Sequence, residues 1–364
     1  MKSEFAGTHR RLKRFFPRFR EVRVAVLGDL MLDRYLWGNA HRLSPEAAVP
    51  VVDFVSQSDC LGGAANVAAN LAALRAQVRL FGLLGGGKAS QQKTADDETG
   101  AALRARLRHL GIADEGVLAD SSRMTTVKTR IIARHQHIVR IDHERREAIS
   151  PDTEEKLFRL LLASLNGLDA LVLSDYDKGL LTDAFADRVL HACHQSNIPV
   201  FVKPKTSRLF AYRGARAIVC NTKEASFYMT SSVSDDKSVE EAGRALLPHF
   251  GCAAVVITRG EHGMSVFEEG SLRPLHIPAT SFEITYAGVG QPGVTQGSSG
   301  RQVLDLTGAG DTVLSVLSLA VAAGASLRDA AFLANTAAGV VVGKLGTSTV
   351  TPAELAAALH DRHP

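Results

Sequence analysis

Cysteine is scarce in this sequence. The four residues Cys60, Cys193, Cys220 and Cys252 stand 27 or more positions apart and form no CxxC pair. That spacing excludes a disulfide scaffold and predicts a reduced, cytoplasmic compartment. No N-terminal segment joins an apolar stretch to a small-residue cleavage site, so no signal peptide is read. Long apolar runs are missing too: the longest, Val313 to Ala325, carries two serines and is too short to span a bilayer, so no membrane association is expected. With 45% hydrophobic and 22% charged residues among 364, disordered and collagen-like classes are also excluded.

The net charge of +4 is unevenly placed. Met1 to Arg23 holds eight Lys/Arg against two acids, which leaves the other 341 residues at −2. Residues 1–21 therefore read as a basic tail, solvated ahead of the first strand, and the body shows no basic face for nucleic acid.

From Val22 onward, apolar runs alternate with helical stretches. Strands are read at Arg23–Leu27, Val78–Leu83, Ala170–Ser174, Val200–Lys203, Ala217–Cys220 and Ala254–Thr258. Helices are read at Ala64–Leu74, Gly100–Leu110, Pro151–Asn166, Thr182–Ser196, Val239–Phe250, Gly310–Ala323 and Ser326–Gly343. The order predicts an α/β fold with a doubly wound, mostly parallel sheet and helices on both faces. Tyr35–Trp37 with Val49–Val55, and Thr125–Ile132 with His137–Asp142, lack the helix a parallel crossover needs. They predict a small β-sheet lid from about residues 34–56 and 125–142. Pro278 to Arg301, rich in Gly, Ser, Thr and Gln, reads as a flexible insertion. No internal repeat or composition shift marks a second independent domain.

The sharpest motif is Asp305-Leu306-Thr307-Gly308-Ala309-Gly310-Asp311-Thr312, set just before a helical run. Small residues at 308–310 let the chain turn tightly into a helix start, whose unpaired N–H groups hold an anion. A plain aspartate N-cap is the other reading of the same residues. Gly28-Asp29-Leu30-Met31-Leu32-Asp33 follows the first strand, where loops of an open α/β sheet face ligand. Leu61-Gly62-Gly63-Ala64-Ala65-Asn66 feeds a helix, Asn221-Thr222-Lys223-Glu224 ends one strand, and Thr258-Arg259-Gly260-Glu261-His262-Gly263 ends another.

In that order and approximate spacing, the Gly-Gly-x-x-Asn, Asn-x-x-Glu, Thr-x-Gly-x-x-Gly and Gly-Ala-Gly-Asp elements resemble the ribokinase-like (PfkB) carbohydrate kinases over residues 22–355. Gly28–Trp37, Leu43–Val52, Leu61–Leu74, Thr126–Asp142 and Ser174-Asp175-Tyr176-Asp177-Lys178-Gly179 look most like the D-glycero-β-D-manno-heptose 7-phosphate kinases of lipopolysaccharide core synthesis. That resemblance implies ATP-dependent phosphorylation of the anomeric hydroxyl, giving the 1,7-bisphosphate. Some such kinases carry a C-terminal nucleotidyltransferase; an end at Pro364 leads here to the expectation of one activity. Another PfkB-type sugar or nucleoside kinase, or a silent sugar-phosphate sensor, are the alternatives.

The resemblance implies Asp311 as the base, with the N–H groups of Gly308, Ala309 and Gly310 stabilising the phosphoryl charge. It implies Asn221, Thr258, Gly260, Gly263, Thr307 and Asn335 around ATP, and Glu224 holding Mg²⁺ through water. The plain reading of Asn221 and Glu224 is a turn and a surface acid. Asp29, Asp33, Gly62, Gly63 and Asn66 are expected on the sugar, and Arg130, Lys178 and Lys205 on its phosphate; each of these cations also reads as a solvated side chain. Edge pairing of two lids predicts a homodimer.

One departure stands out: Lys203-Pro204-Lys205 occupies the place of a common Asp-Pro-Lys. Three other patterns are chance. Gly82 to Lys88 matches a P-loop start, but Ala89 stands where Ser/Thr should meet Mg²⁺. Gly288 to Gly293 spells GxGxxG around Pro292 with no strand before it. His135, His137 and His143 lack metal-ligand spacing and read as strand surface.

Overall fold

A computed structural model describes residues 11–87, 95–133, 136–205, 212–280, 306–344 and 346–360. Among the described residues thirteen strands are formed. They are β1 (Arg23–Gly28), β2 (Leu30–Leu43), β3 (Pro50–Gly63), β4 (Gln77–Gly85), β5 (Ala113–Asp120), β6 (Thr126–Ala133) and β7 (Gln136–His143), then β8 (Ala170–Ser174), β9 (Val200–Lys203), β10 (Ala217–Asn221), β11 (Ala254–Thr258), β12 (Met264–Glu268) and β13 (Leu275–Ile277). Nine make one sheet in the order β13-β12-β11-β10-β9-β8-β1-β4-β5, parallel from β11 through to β5 and closed at the other edge by the antiparallel β12 and β13. This is the expected doubly wound α/β sheet.

Strand alternation divides its core in two. Val24, Val26, Val172, Phe201, Val219 and Val256 pack against helices Ala64–Ala73, Ala309–Ala322 and Leu327–Val341. Their chain neighbours Ala25, Leu27, Leu173, Val202, Ile218 and Ile257 meet helices Pro151–Leu165, Asp183–Gln195 and Asp236–Phe250 on the opposite face. With both faces covered, the open places are the strand ends, and order reverses at β1, the position where α/β sheets take ligands.

The four-stranded accessory sheet, β3-β2-β6-β7, is present where the lid was expected, but its first two strands run far longer than Tyr35–Trp37 and Val49–Val55. β2 starts two residues after β1 ends, so the accessory sheet grows directly from the main one.

The N-terminal segment corrects the reading of a solvated tail. Leu12, Phe15 and Phe19 are buried in the main core, and Arg11 pairs with Asp329 at 2.8 Å. The basic residues face outward from an amphipathic turn of chain whose three apolar side chains outweigh its charge. Residues 1–10 lie outside the described residues, as do most of the Pro278–Arg301 insertion and His135. Among the described residues no helix is long and apolar enough to cross a membrane.

Candidate active site

Asp311 sits in the first turn of helix Ala309–Ala322, and its side chain is buried. The turn is made by Gly308, whose φ of 84° is left-handed and whose absent Cβ would stand 2.8 Å from Asn66 Nδ2. The N–H groups of Gly310 and Asp311 lie in this first turn, where no carbonyl four residues back within the helix can receive them. The helix dipole adds positive potential at the same point.

Three donors converge on the Asp311 carboxylate. Asn66 Nδ2 donates to Oδ2 at 3.0 Å, while Tyr176 Oη and Lys203 Nζ donate to Oδ1 at 2.6 and 3.1 Å. Lys203 Nζ also donates to Tyr176 Oη at 3.1 Å and lies 4.7 Å from the centre of its ring. Burial and the neighbouring Asp311 both raise the Tyr176 pKa, so the phenol stays a donor. The Asn66 amide is held by Asn70, which donates to Asn66 Oδ1 at 3.1 Å and accepts from Thr312 Oγ1. With its oxygen so engaged, Asn66 presents its NH₂ to Asp311.

Asp33 lies nearby on β2, buried, and its carboxylate raises no barrier to packing because Gly62 leaves room: a Cβ there would be 2.4 Å from Asp33 Oδ2. Arg130, one strand over in β6, donates to Asp33 Oδ1 at 2.5 Å. Burial raises the Asp33 pKa against the pull of Arg130, and the charge of Asp311 adds to the rise. Gly63, at φ 56°, is the N-cap of helix Ala64–Ala73 that carries Asn66. The sequence-predicted Asp33, Gly62, Gly63, Asn66, Gly308, Gly310 and Asp311 are thus brought together.

The remaining candidates are engaged by the protein itself. Asp29 Oδ2 accepts from the backbone N–H groups of Tyr176 and Lys178, which ties down the loop that carries Tyr176. Burial, then repulsion from Asp175, pushes the Asp29 pKa up to about 6. Lys178 is buried and pairs with Glu144 at 2.8 Å, and Arg130 is engaged by Asp33, so neither is the solvated cation of the plain reading. Although burial opposes it, bonds from Lys178, Arg146 and Lys128 hold the Glu144 carboxyl down at about 2. Lys205 is exposed just beyond β9.

Asn221 and Glu224 form a reciprocal capping box at helix Thr222–Met229, with Glu224 N donating to Asn221 Oδ1 at 2.8 Å and Asn221 N to Glu224 Oε2 at 2.9 Å. This is the plain reading of both, compatible with a further role at the end of β10. Thr258 ends β11, Gly260 and Gly263 take positive φ in the turn to β12, and Asn335 Nδ2 donates to the Pro278 carbonyl at 2.9 Å. Thr307 precedes the Gly308 turn. Among the described residues no three His, Cys, Asp or Glu side chains form a metal cluster.

Sequence reasoning missed Tyr176 and Lys203 as site residues. The available signal was position: both are polar residues at the carboxyl ends of strands, after β8 and at the end of β9.

The pfkB family carbohydrate kinase profile matches residues 22–354. The chain belongs to the PfkB family of carbohydrate kinases. It is a sugar kinase by that membership, and its relatives agree. The bifunctional protein HldE of Geotalea uraniireducens is 42% identical over 353 residues, covering 97% of this chain and 66% of that protein. HldE of Geobacter sulfurreducens is 43% identical over 342 residues, covering 94% of this chain and 64% of its own length. This PfkB kinase therefore spans less than two thirds of the relatives it matches. Its fold is that of Arabidopsis thaliana ribokinase, complexed with ribose and ATP, at a TM-score of 0.69 and 18% identity over 93% of this chain and 98% of that one. Escherichia coli phosphofructokinase-2, in complex with potassium, gives 0.70 and 16% over the same shares.

Proposed function

We propose that this chain transfers the terminal phosphoryl group of ATP to the anomeric hydroxyl of D-glycero-β-D-manno-heptose 7-phosphate, yielding the 1,7-bisphosphate. One observation carries the chemistry: a buried carboxylate, Asp311, held by Asn66, Tyr176 and Lys203 in the first turn of a helix, directly after the left-handed Gly308. The heptose assignment rests on the resemblance of the sequence segments and on the identity to the HldE proteins.

In this reading Asp311 accepts the proton of the sugar hydroxyl as its oxygen attacks the γ-phosphorus in line. The first-turn N–H groups at Gly308 to Gly310 take up the phosphoryl charge. Asp33, Gly62, Gly63 and Asn66 orient the sugar, and Asp29 orders the Tyr176–Lys178 loop beneath it. Asn221, Thr258, Gly260, Gly263, Thr307 and Asn335 border ATP along the ends of β10 and β11. Lys178 lines a small cavity with Asp29, Arg123 and Arg145, which supports a phosphate-bearing acceptor. Lys205, exposed just beyond β9, is not among the residues lining that cavity.

Mg²⁺ bound with ATP supplies charge neutralisation. A single carboxylate, Glu224, fits an ion that keeps its waters and phosphates. The accessory sheet forms a lid that excludes water from the activated phosphoryl group, and two such lids pair in a homodimer. ATP consumption against a panel of sugars and sugar phosphates, with mass analysis of products, tests the assignment. A heptose 7-phosphate gaining one phosphate is the expected result. Turnover of ribose, a nucleoside or fructose phosphates in its place would reassign the substrate within the family.

A further inference from the structure

Lys203 is the charged donor of the Asp311 cluster, and the reaction above uses it only to hold the carboxylate. It is the last residue of β9, at the carboxyl edge of the main sheet. Its ammonium touches Asp311 Oδ1 and Tyr176 Oη, both at 3.1 Å. Its stem lies over the phosphoryl cradle: a Cβ on Gly310 would meet Lys203 Cε at 3.1 Å and Nζ at 3.6 Å. The ammonium therefore lies beside both the carboxylate and the first turn of helix Ala309–Ala322.

We propose that Lys203 is a catalytic residue, whose ammonium passes from Asp311 to the phosphoryl group as that group is transferred. This rests on the kinase reading above. The acceptor oxygen forms its bond to the γ-phosphorus, and the bond from that phosphorus to the β,γ-bridging oxygen breaks to leave ADP. The acceptor proton goes to Asp311. Once protonated, Asp311 no longer attracts the ammonium, while negative charge grows on the equatorial phosphoryl oxygens above Gly310. Lys203 keeps all its protons and exchanges one hydrogen-bond partner for the other. Burial disfavours its charge, but Asp311, Tyr176 and Glu224 together raise the Lys203 pKa above the ordinary lysine value, so the cation persists. Tyr176 remains on Asp311 throughout and keeps the carboxylate aimed when the lysine leaves.

The test compares wild type, Lys203→Met and Lys203→Arg in steady-state kinetics with ATP and whichever sugar phosphate the wild type turns over best. Removing one preorganised donor to a developing anion is expected to lower kcat by about 10²–10³-fold. KM for both substrates should stay within about threefold, since the interaction forms only in the transition state. Lys203→Arg, which keeps the charge, should recover part of the loss. An independent readout is thermal shift with ADP, the sugar phosphate and aluminium fluoride, a planar phosphoryl mimic. The wild type should gain stability when the fluoride joins ADP and sugar; Lys203→Met should show only the gain from ADP and sugar. Should Lys203→Met not fold, Lys203→Gln keeps a donor toward Asp311 without the charge and carries the same expectations. A Lys203→Met enzyme with unimpaired kcat, a loss confined to KM, or a full response to aluminium fluoride overturns the role of Lys203 alone. A wild type inert toward every sugar and sugar phosphate overturns the kinase reading, and this inference with it.

Discussion

The two sheets of this molecule solve different problems. In the nine-stranded sheet every residue of β8 is buried, and helices cover both faces. In the accessory sheet β7 is exposed at nearly every position, and the large apolar side chains Leu43, Phe54, Val55, Val139 and Ile141 face solvent. A closed body fixes geometry, whereas a one-sided sheet keeps a surface for something else. The main body and the accessory sheet each hold one buried carboxylate with its own cation: Asp311 with Lys203, and Asp33 with Arg130. The Asp33 pair is made between neighbouring strands of one sheet. The Asp311 cluster gathers side chains from a helix start, β9 and the loop after β8, so it depends on the whole body being assembled.

That contrast is sharpest in the expected effect of Asp311→Asn. Turnover should fall about 10²–10⁴-fold through loss of a positioned base, while thermal stability stays close to wild type because Asn still accepts from Asn66 or Tyr176. Steady-state kinetics beside a melting curve checks both halves. A variant that keeps full turnover would remove Asp311 from the chemistry.

Closure of the main body is expected to depend on the docked N-terminal segment. Phe19 is fully buried in the core beneath the helices. Phe19→Ala should cost about 3–5 kcal/mol of stability through lost burial and the cavity left behind. Chemical denaturation measures this directly, and a loss below about 1 kcal/mol would restore the reading of a loosely attached tail.

The main-sheet strands were legible because a fully buried parallel strand is a nearly unbroken apolar run: Ala170–Ser174, Val200–Lys203 and Ala254–Thr258 are found with the expected bounds. β5 escaped because Ala113–Asp120 is an edge strand with Asp114, Glu115 and Gly116 in it, a composition that reads as loop. The lid strands were underestimated for a related reason: half-exposed, with polar residues such as Asp53, Ser56 and Gln57, they take their regularity from pairing with each other. In the site, the Gly-rich turn and Asp311 announced themselves locally. Tyr176 and Lys203 did not, since their meeting with Asp311 across 135 and 108 positions is set by strand order.

A smaller effect is expected at the seam between the sheets, where Asp29 follows β1. Its folded pKa of about 6 exceeds the ordinary 3.8. The folded chain thus holds this proton more tightly than the unfolded chain. The stabilisation is complete below pH 3.8 and is lost as pH rises through about 6. The cost of ionising it in place is on the order of 3 kcal/mol. Asp29→Asn keeps an acceptor for the Tyr176 and Lys178 N–H groups and carries no charge. Its stability should therefore vary less than that of wild type between pH 4 and 6, by denaturant titration at each pH. Parallel curves would show that Asp29 ionises without penalty.

The accessory sheet supplies the last and mildest test, because it concerns assembly and leaves each subunit folded. Leu43 and Phe54 are each 66% exposed and Ile141 54%, more apolar surface than one sheet face leaves to water without a partner. β3 and β7 are its two edges, where unpaired N–H and C=O groups invite another strand. In the proposed homodimer a second copy of the same sheet would answer both features at once, with the same patch used on each side of a two-fold axis. The wild type at micromolar concentration should then scatter light as a dimer of 38.9 kDa subunits. Ile141→Lys, which places like charges face to face across that axis, should weaken the association while leaving the melting temperature of the isolated subunit little changed. A wild type of monomeric mass would mean that the exposed face has another occupant, and that the lid closes over its sugar within one subunit alone.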